Sequence, residues 1–196
     1  MSNDFNLCPL CGSRNVENHH NRKWFCPDCG FDLYNNVAAA VGVIIYDDDF
    51  NVLFEVRAKE PRKGFITIPG GFVDPDECAE NAAVRECREE IGVDVSSDDV
   101  RFLCTNPNTY PYKNIEYKTC DIFFTARLPQ QFATIRQFIL SLRAQESEVA
   151  GFESHPVRTE SDVDALPLAF DSVRATLRQF VRMCGAREKG DDNDRA

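Results

Sequence analysis

With 196 residues the chain has room for one domain of about 150 residues and a small extra module. Its 43% hydrophobic residues and fifteen Phe can fill a core, which argues against a largely disordered chain. A formal charge of −10 argues against nucleic acid as a general partner, since that affinity comes from clustered Lys and Arg. It leaves a nucleotide substrate open, because a bound divalent cation reverses the local field.

Met1-Ser2-Asn3-Asp4 resembles neither a secretory signal nor an Arg-rich transit peptide, and no apolar run approaches the roughly 18 residues of a membrane helix. The expectation is a cytoplasmic protein without a membrane partner. Nine Cys are an odd number, and four of them lie as tight pairs in the first thirty residues. That pattern suits metal-bound thiolates in a reducing compartment better than disulfides. Cys8-Pro9-Leu10-Cys11-Gly12 and Cys26-Pro27-Asp28-Cys29-Gly30 form two knuckles, with fourteen residues between Cys11 and Cys26. Cys8, Cys11, Cys26 and Cys29 would supply the tetrahedral thiolate set of a structural Zn²⁺. The Gly after each pair permits the tight turn behind the metal. His19 and His20 are the alternative ligands of an irregular site, and a redox-active pair is the alternative chemistry. The expected division is a zinc ribbon over 1–35, a larger domain over 36–186 and a disordered charged tail over 187–196.

Within the larger domain, Val37 to Tyr46 reads as a buried strand, Asp47-Asp48-Asp49 as a turn, and Val52 to Val56 as the returning strand. Phe65 to Pro69 is a short strand stopped by Gly70-Gly71. Glu77 to Ile91, rich in Ala, Glu and Arg, is a helix closed by Gly92. Further strands are expected at Val100–Thr105, Ile115–Leu128 and Glu148–Glu153, with Asn106 to Tyr112 as a loop. Phe132, Ile135, Phe138, Ile139 and Leu142 give 130–143 the period of an amphipathic helix, and Phe170, Val173, Leu177, Phe180 and Val181 give the last helix its apolar stripe. Strands mixed with two or three helices indicate an α+β fold or a mixed α/β sandwich.

The helix after Gly71 carries the chemistry. At about 100° per residue Ala79, Ala83 and Cys87 form a stripe of small residues; Glu86 and Glu90 fall about 60° and 20° from Ala83, and Glu89 about 120°. Two carboxylates therefore lie on the side that faces the sheet, where they repel one another unless a divalent cation compensates them. Arg85, four residues before Glu89, is placed to orient a carboxylate.

Gly71, Glu77, Arg85, Glu86, Cys87, Glu89, Glu90, Gly92 and Val93 occupy every fixed position of the Nudix box, and the chain resembles a Nudix hydrolase from about residue 37 to 184. The resemblance implies an α/β/α sandwich with a mixed central sheet. It also implies Mg²⁺- or Mn²⁺-dependent hydrolysis of a pyrophosphate linkage in a small nucleoside diphosphate derivative. Carried onto these residues, Glu86, Glu89 and Glu90 with the Gly70 backbone are the cation ligands. Gly71, Glu77, Arg85 and Gly92 support the loop and helix. The general base lies either in the box or on a later loop, where Glu148 is preferred over Glu146. The zinc ribbon resembles that of the NADH pyrophosphatase and ADP-ribose pyrophosphatase-like branch, where it serves structure or dimer contacts, and a homodimer is compatible with it.

Just beyond the box, the Ser-Gln-Pro-Trp-Pro-Phe-Pro stretch of the NADH enzymes is replaced by Asn106-Pro107-Asn108-Thr109-Tyr110-Pro111-Tyr112, which argues against NADH as substrate. Tyr110 or Tyr112 would stack on a base or else merely close the loop. Two further readings stand beside this one. Hydrolysis of nucleoside triphosphates or of NAD-capped RNA would use Arg22, Lys23 and Trp24 as a small basic–aromatic contact. A non-catalytic nucleotide-sensing or protein-binding module would be favoured by a missing box Glu, and none is missing.

Overall fold

The computed structural model describes residues 5–112 and 115–191, without the side chains of Tyr112 and of 186–191. They fall into two compact units, one from the described parts of Met1–Ala38 and Thr109–Thr119, the other from Ala39–Asn108 and the described part of Cys120–Ala196. Segment 109–119 is not foreseen by the sequence-based boundary at 35–36.

In the first unit, β1 (Glu17–His19), β2 (Lys23–Phe25) and β3 (Asp32–Tyr34) form an antiparallel sheet in that order. A second sheet has β4 (Ala38–Tyr46), β5 (Asn51–Arg57), β6 (Ile66–Thr67), β7 (Arg101–Tyr112) and β8 (Ile115–Arg127) in the order β6-β5-β4-β8-β7, all in the second unit except Ala38 and the described residues of 109–119. A further strand, β9 (Val149–Pro156), pairs antiparallel with β5 from Asn51 to Arg57, with an irregularity at Val56/Arg57. Ile66 adds a parallel bridge to Leu168, so the sheet is mixed.

Period-two alternation sends Ile44, Tyr46, Val52 and Phe54 into one core, and Val41, Val43, Ile45 and Leu53 into another. Strands apolar on both faces need cover on both. One face takes α3 (Glu160–Ala165) and α4 (Asp171–Asp191), whose Val173, Leu177, Phe180 and Cys184 follow the helical period. The other takes α1 (Ala79–Glu86), a π-helical turn (Cys87–Ile91) and α2 (Ile135–Ile139). This is the expected α/β/α sandwich. No helix among the described residues is long and apolar enough to cross a membrane.

Five elements differ from expectation. The helix expected over 77–91 ends in the π turn, closed by Gly92 at φ 71°. The one expected over 130–143 shrinks to α2. The Thr134 side chain caps it by accepting from Gln137 N at 3.3 Å, and the Ile135 N–H goes to Asp47 at 3.2 Å. Beyond α2, Arg143 N–H and Gln145 N–H bond the Ile91 and Glu90 carbonyls at 3.1 and 3.2 Å, so this backbone closes the π turn instead of prolonging its own helix. Asn106–Tyr112, expected as a loop, continues β7; an edge strand tolerates Pro107 and Pro111 because one side of it needs no ladder donor. Helix α3, unforeseen, starts at a capping box of Thr159 and Asp162. Helix α4 takes the start of the expected charged tail through Asp191, and 192–196 lie outside the described residues.

Candidate active site and thiolate cluster

From β6 the chain runs through Pro69-Gly70-Gly71 alongside β4, with Val43 N–H bonded to the Pro69 carbonyl at 2.9 Å and Val41 N–H to that of Gly71 at 2.8 Å. At Gly70 a Cβ would collide with the Val41 carbonyl, and at Gly71 it would sit 2.5 Å from Glu86 Oε1. The glycines thus let strand β4 and a helix carboxylate approach one turn of backbone.

Arg85 is the clasp of this loop–helix unit. Its Nε and Nη2 each donate to Glu77 at 3.0 Å, Nη2 also to the Phe72 carbonyl at 2.9 Å, and Nη1 to Glu86 at 2.7 Å and Glu89 at 3.3 Å. Such bidentate pairing fixes the plane of the guanidinium, and the bonds to Arg85 hold the Glu77 carboxyl below its usual range.

The helical-wheel order holds: Glu86 and Glu90 turn inward, 9% and 6% exposed, while Glu89 is exposed. Desolvation raises the Glu86 carboxyl against the pull of Arg85. It raises Glu90 to about 8, although the Gly70 N–H, 2.7 Å from Oε2, favours the ionised form. Both also feel the charge of Glu148. That residue stands just before β9, where its carbonyl takes the Ala58 N–H at 2.7 Å and its carboxylate pairs with Lys59 at 2.5 Å. Glu148 is half-buried and within electrostatic range of Glu86 and Glu90, while Glu146 is exposed.

A further carboxylate, Glu55 on β5, lies against Glu90 and is 2% exposed. Desolvation, then Glu90 and Glu86, push its carboxyl well above the usual range. Sequence reasoning missed it, though the signal was present: a charged residue in the apolar run Val52-Leu53-Phe54-Glu55-Val56. Arg85 is shared among Glu77, Glu86 and Glu89 and Lys59 pairs with Glu148, and the hard carboxylate oxygens are the donor type that Mg²⁺ or Mn²⁺ takes.

In the first unit Cys8, Cys11, Cys26 and Cys29 place their Sγ atoms within 4.8 Å of one another. The Cys8–Cys29 and Cys11–Cys26 separations, both 3.7 Å, match the edge of about 3.8 Å that Zn–S bonds of about 2.3 Å give a tetrahedron. Gly12 and Gly30, at φ 72° and 76°, return their N–H groups to the Cys8 and Cys26 carbonyls. Asp28 ties the knuckles together by accepting from Ser13 and Asn15. The Cys8 thiol is lowered to about 7, chiefly by the Cys11 backbone. At Cys29 the Phe31 backbone also lowers it, but desolvation and the neighbouring thiols push it up to about 12. Four thiols this close ionise together only around a cation, which fits Zn²⁺.

Other expected residues are not assembled into a site. Trp24 is buried against Phe5, with ring centroids 4.6 Å apart, and Lys23 pairs with Asp32 at 2.9 Å. Of the basic–aromatic contact expected of Arg22, Lys23 and Trp24, the last two are engaged within the first unit, while Arg22 is exposed. Tyr110 belongs to the first unit on β7, and the side chain of Tyr112 lies outside the described residues.

Comparison with known proteins agrees with this geometry. Curated relatives described as NAD-capped RNA hydrolase NudC include that of Vibrio atlanticus, 32% identical over 113 residues, 57% of this chain and 40% of that protein. That of Pseudomonas aeruginosa is 35% identical over 93 residues, 46% of this chain and 32% of that protein. The chain thus spans two-fifths or less of these relatives. A Nudix hydrolase from Nitrosomonas europaea superimposes with a TM-score of 0.59 at 21% identity, covering 91% of both chains. The Nudix domain of Shewanella oneidensis NrtR, solved with ADP ribose, does so with a TM-score of 0.54 at 23% identity, covering 83% of this chain and 93% of that one. At these identities the likeness shows the fold alone. The NUDIX domain model matches residues 37–173, most of the chain, and the protein belongs to the Nudix family.

Proposed function

We propose that the chain hydrolyses the pyrophosphate linkage of a small nucleoside diphosphate derivative, of ADP-ribose, nucleotide-sugar or dinucleotide type, with a divalent cation. The observation that carries this reading is the inward pair Glu86 and Glu90, clasped by Arg85 and the Gly70 N–H at the Gly70-Gly71 turn. Glu86, Glu89, Glu90 and the Gly70 carbonyl would hold Mg²⁺ or Mn²⁺. When bound, the ion neutralises phosphate charge, makes an attacking water more acidic and stabilises the leaving phosphate. Arg85 keeps the carboxylates oriented, and Glu148, beside Glu86 and Glu90, accepts the proton of the water. Lys59, paired with Glu148, restrains that side chain.

A second reading, hydrolysis of NAD-capped RNA, is favoured by the likeness to the NudC proteins. The overall charge of −10 and the committed Lys23 and Trp24 speak against it. Mononucleotide release should be followed chromatographically for ADP-ribose, NADH, dinucleoside polyphosphates, nucleotide sugars, nucleoside triphosphates and NAD-capped RNA, with Mg²⁺ or Mn²⁺. A preferred small diphosphate whose turnover is lost in Glu89→Gln supports the first reading. Preference for the capped RNA transfers the assignment to the second, and full diphosphatase activity in Glu89→Gln removes the mechanism.

A further inference from the structure

The carboxylate of Glu55 belongs to no part of the Nudix box, and nothing in the fold calls for it. It sits where β5 is flanked by β6 and β9, opposite Thr67 and Phe152. Strand alternation puts it on the same face as Leu53, which is fully buried in the core under α1. An aliphatic side chain would complete that pattern. Instead a carboxylate 2% exposed occupies the position, and its Oε1 has no hydrogen-bond partner among the described residues. A buried acceptor without a partner is costly.

The groups facing it define what satisfies it. Glu90 lies against it, Glu86 is close enough for its charge to be felt, and Arg57 on the same strand is the nearby cation. Arg57 is partly engaged elsewhere: its Nε donates to the Pro61 carbonyl at 2.8 Å and its guanidinium stacks 5.1 Å from the Phe170 ring centre, while its buried Nη2 makes no hydrogen bond among the described residues, Glu55 Oε1 included. Glu90 already accepts the Gly70 N–H through Oε2. A proton shared between Glu55 and Glu90 would relieve that one repulsion and still leave Oε1 bare. A hard divalent cation takes several carboxylate oxygens at once and answers both problems.

We propose that Glu55 is a further ligand of the divalent-cation centre, supplied from the sheet and facing the ligands of the helix. This rests on the cation reading of Glu86, Glu89 and Glu90 given above. A ligand on a central strand ties one side of the centre to the most rigid layer of the fold, while the box ligands ride on a helix and its π turn.

The test uses the zinc-loaded full chain and Mn²⁺ alone, with free Mn²⁺ read by electron paramagnetic resonance during titration, so no turnover is required. Glu55→Gln keeps the shape and can still donate a hydrogen bond to Glu90, but it cannot supply an anionic oxygen. It is expected to weaken Mn²⁺ binding about tenfold or more, as Glu86→Gln should, and to shrink the rise in melting temperature that Mn²⁺ produces. Wild-type affinity in Glu55→Gln, with affinity lost in Glu86→Gln, overturns the proposal and leaves the cation reading intact. Equal binding by wild type and Glu86→Gln, or no binding by wild type, overturns the cation reading itself. If Glu55→Gln does not fold, Glu55→Asp, which keeps the charge one methylene short, serves in its place. Unchanged Mn²⁺ affinity there also overturns the proposal.

Discussion

In the first unit four thiols stand where the second unit has two hydrophobic cores. Apart from Cys8 and Cys26, Trp24 is the buried apolar side chain among that unit's described residues, and its three N-terminal strands have three residues each. So little apolar burial does not offset chain entropy, a deficit that a metal held by the four thiols would make up. The second unit buries Phe54, Phe124, Phe138 and Phe180 almost completely. It can carry a set of mutually repelling carboxylates because its fold does not depend on them. One cluster holds its fold together, and the other is a load that its fold supports. Loss of the first cluster therefore removes structure, whereas neutralising the second removes activity and relieves strain.

Zinc chelation or Cys26→Ser should abolish the order of the first unit, since structural Zn²⁺ binding, of about 10–16 kcal/mol, would supply its folding energy. The indole signal of Trp24 followed by NMR would show this, and a Trp24 that stays buried after chelation would break the comparison. Next in size, Phe180→Ala should destabilise the second unit by about 3–5 kcal/mol in denaturant titration. It should leave cobalt substituted at the thiolate cluster with an unchanged absorption spectrum.

Glu86→Gln should lower kcat/KM about a hundredfold or more while raising the melting temperature of the Mg²⁺-free protein. A drop in both would mean that this carboxylate supports the fold after all. Gly71→Ala, whose Cβ would meet Glu86 Oε1 at 2.5 Å, should displace that carboxylate. Its activity should fall about tenfold with little change in melting temperature.

The smallest effect is a pH dependence. Glu55, Glu86 and Glu90 all bind protons more tightly folded than unfolded. Their contribution is fully present below the ordinary carboxyl range and lost as pH rises, for Glu90 through about 8. Between these limits the folded state binds more protons than the unfolded state, so stability falls with pH. The cation-free protein should melt lower at pH 9 than at pH 6, and Mn²⁺ should restore most of the difference. Melting that rises with pH across this window would contradict the inward placement of these carboxylates.

The thiolate cluster and the box were legible because each is written in local spacing. Two Cys-x-x-Cys-Gly knuckles bring their own turn glycines, and the helical period alone turns Glu86 and Glu90 inward and Glu89 out. Strands β4 and β5 and helix α4 were legible for the same reason, as their apolar periods are continuous in the chain. The 130–143 segment misled because its apolar period is real: Ile135 and Phe138 are buried, yet its backbone donors beyond α2 close the turn at Glu90 and Ile91. Asn106 to Tyr112 misled because prolines at an edge strand look like a loop until the edge is known.

By itself, then, the sequence determined the four-cysteine spacing, the Nudix box and the two-sided apolar strands that demand a sandwich. Only the tertiary structure decided that the Glu148 charge is felt by Glu86 and Glu90 and that Glu55 is buried against Glu90. Both depend on β5 lying between β6 and β9, and β5 meets β9 across nearly a hundred residues of chain, Glu55 opposite Phe152. Helical and strand periods express the geometry of neighbouring residues. The company a buried carboxylate keeps is set by pairings between distant segments, which no local period records.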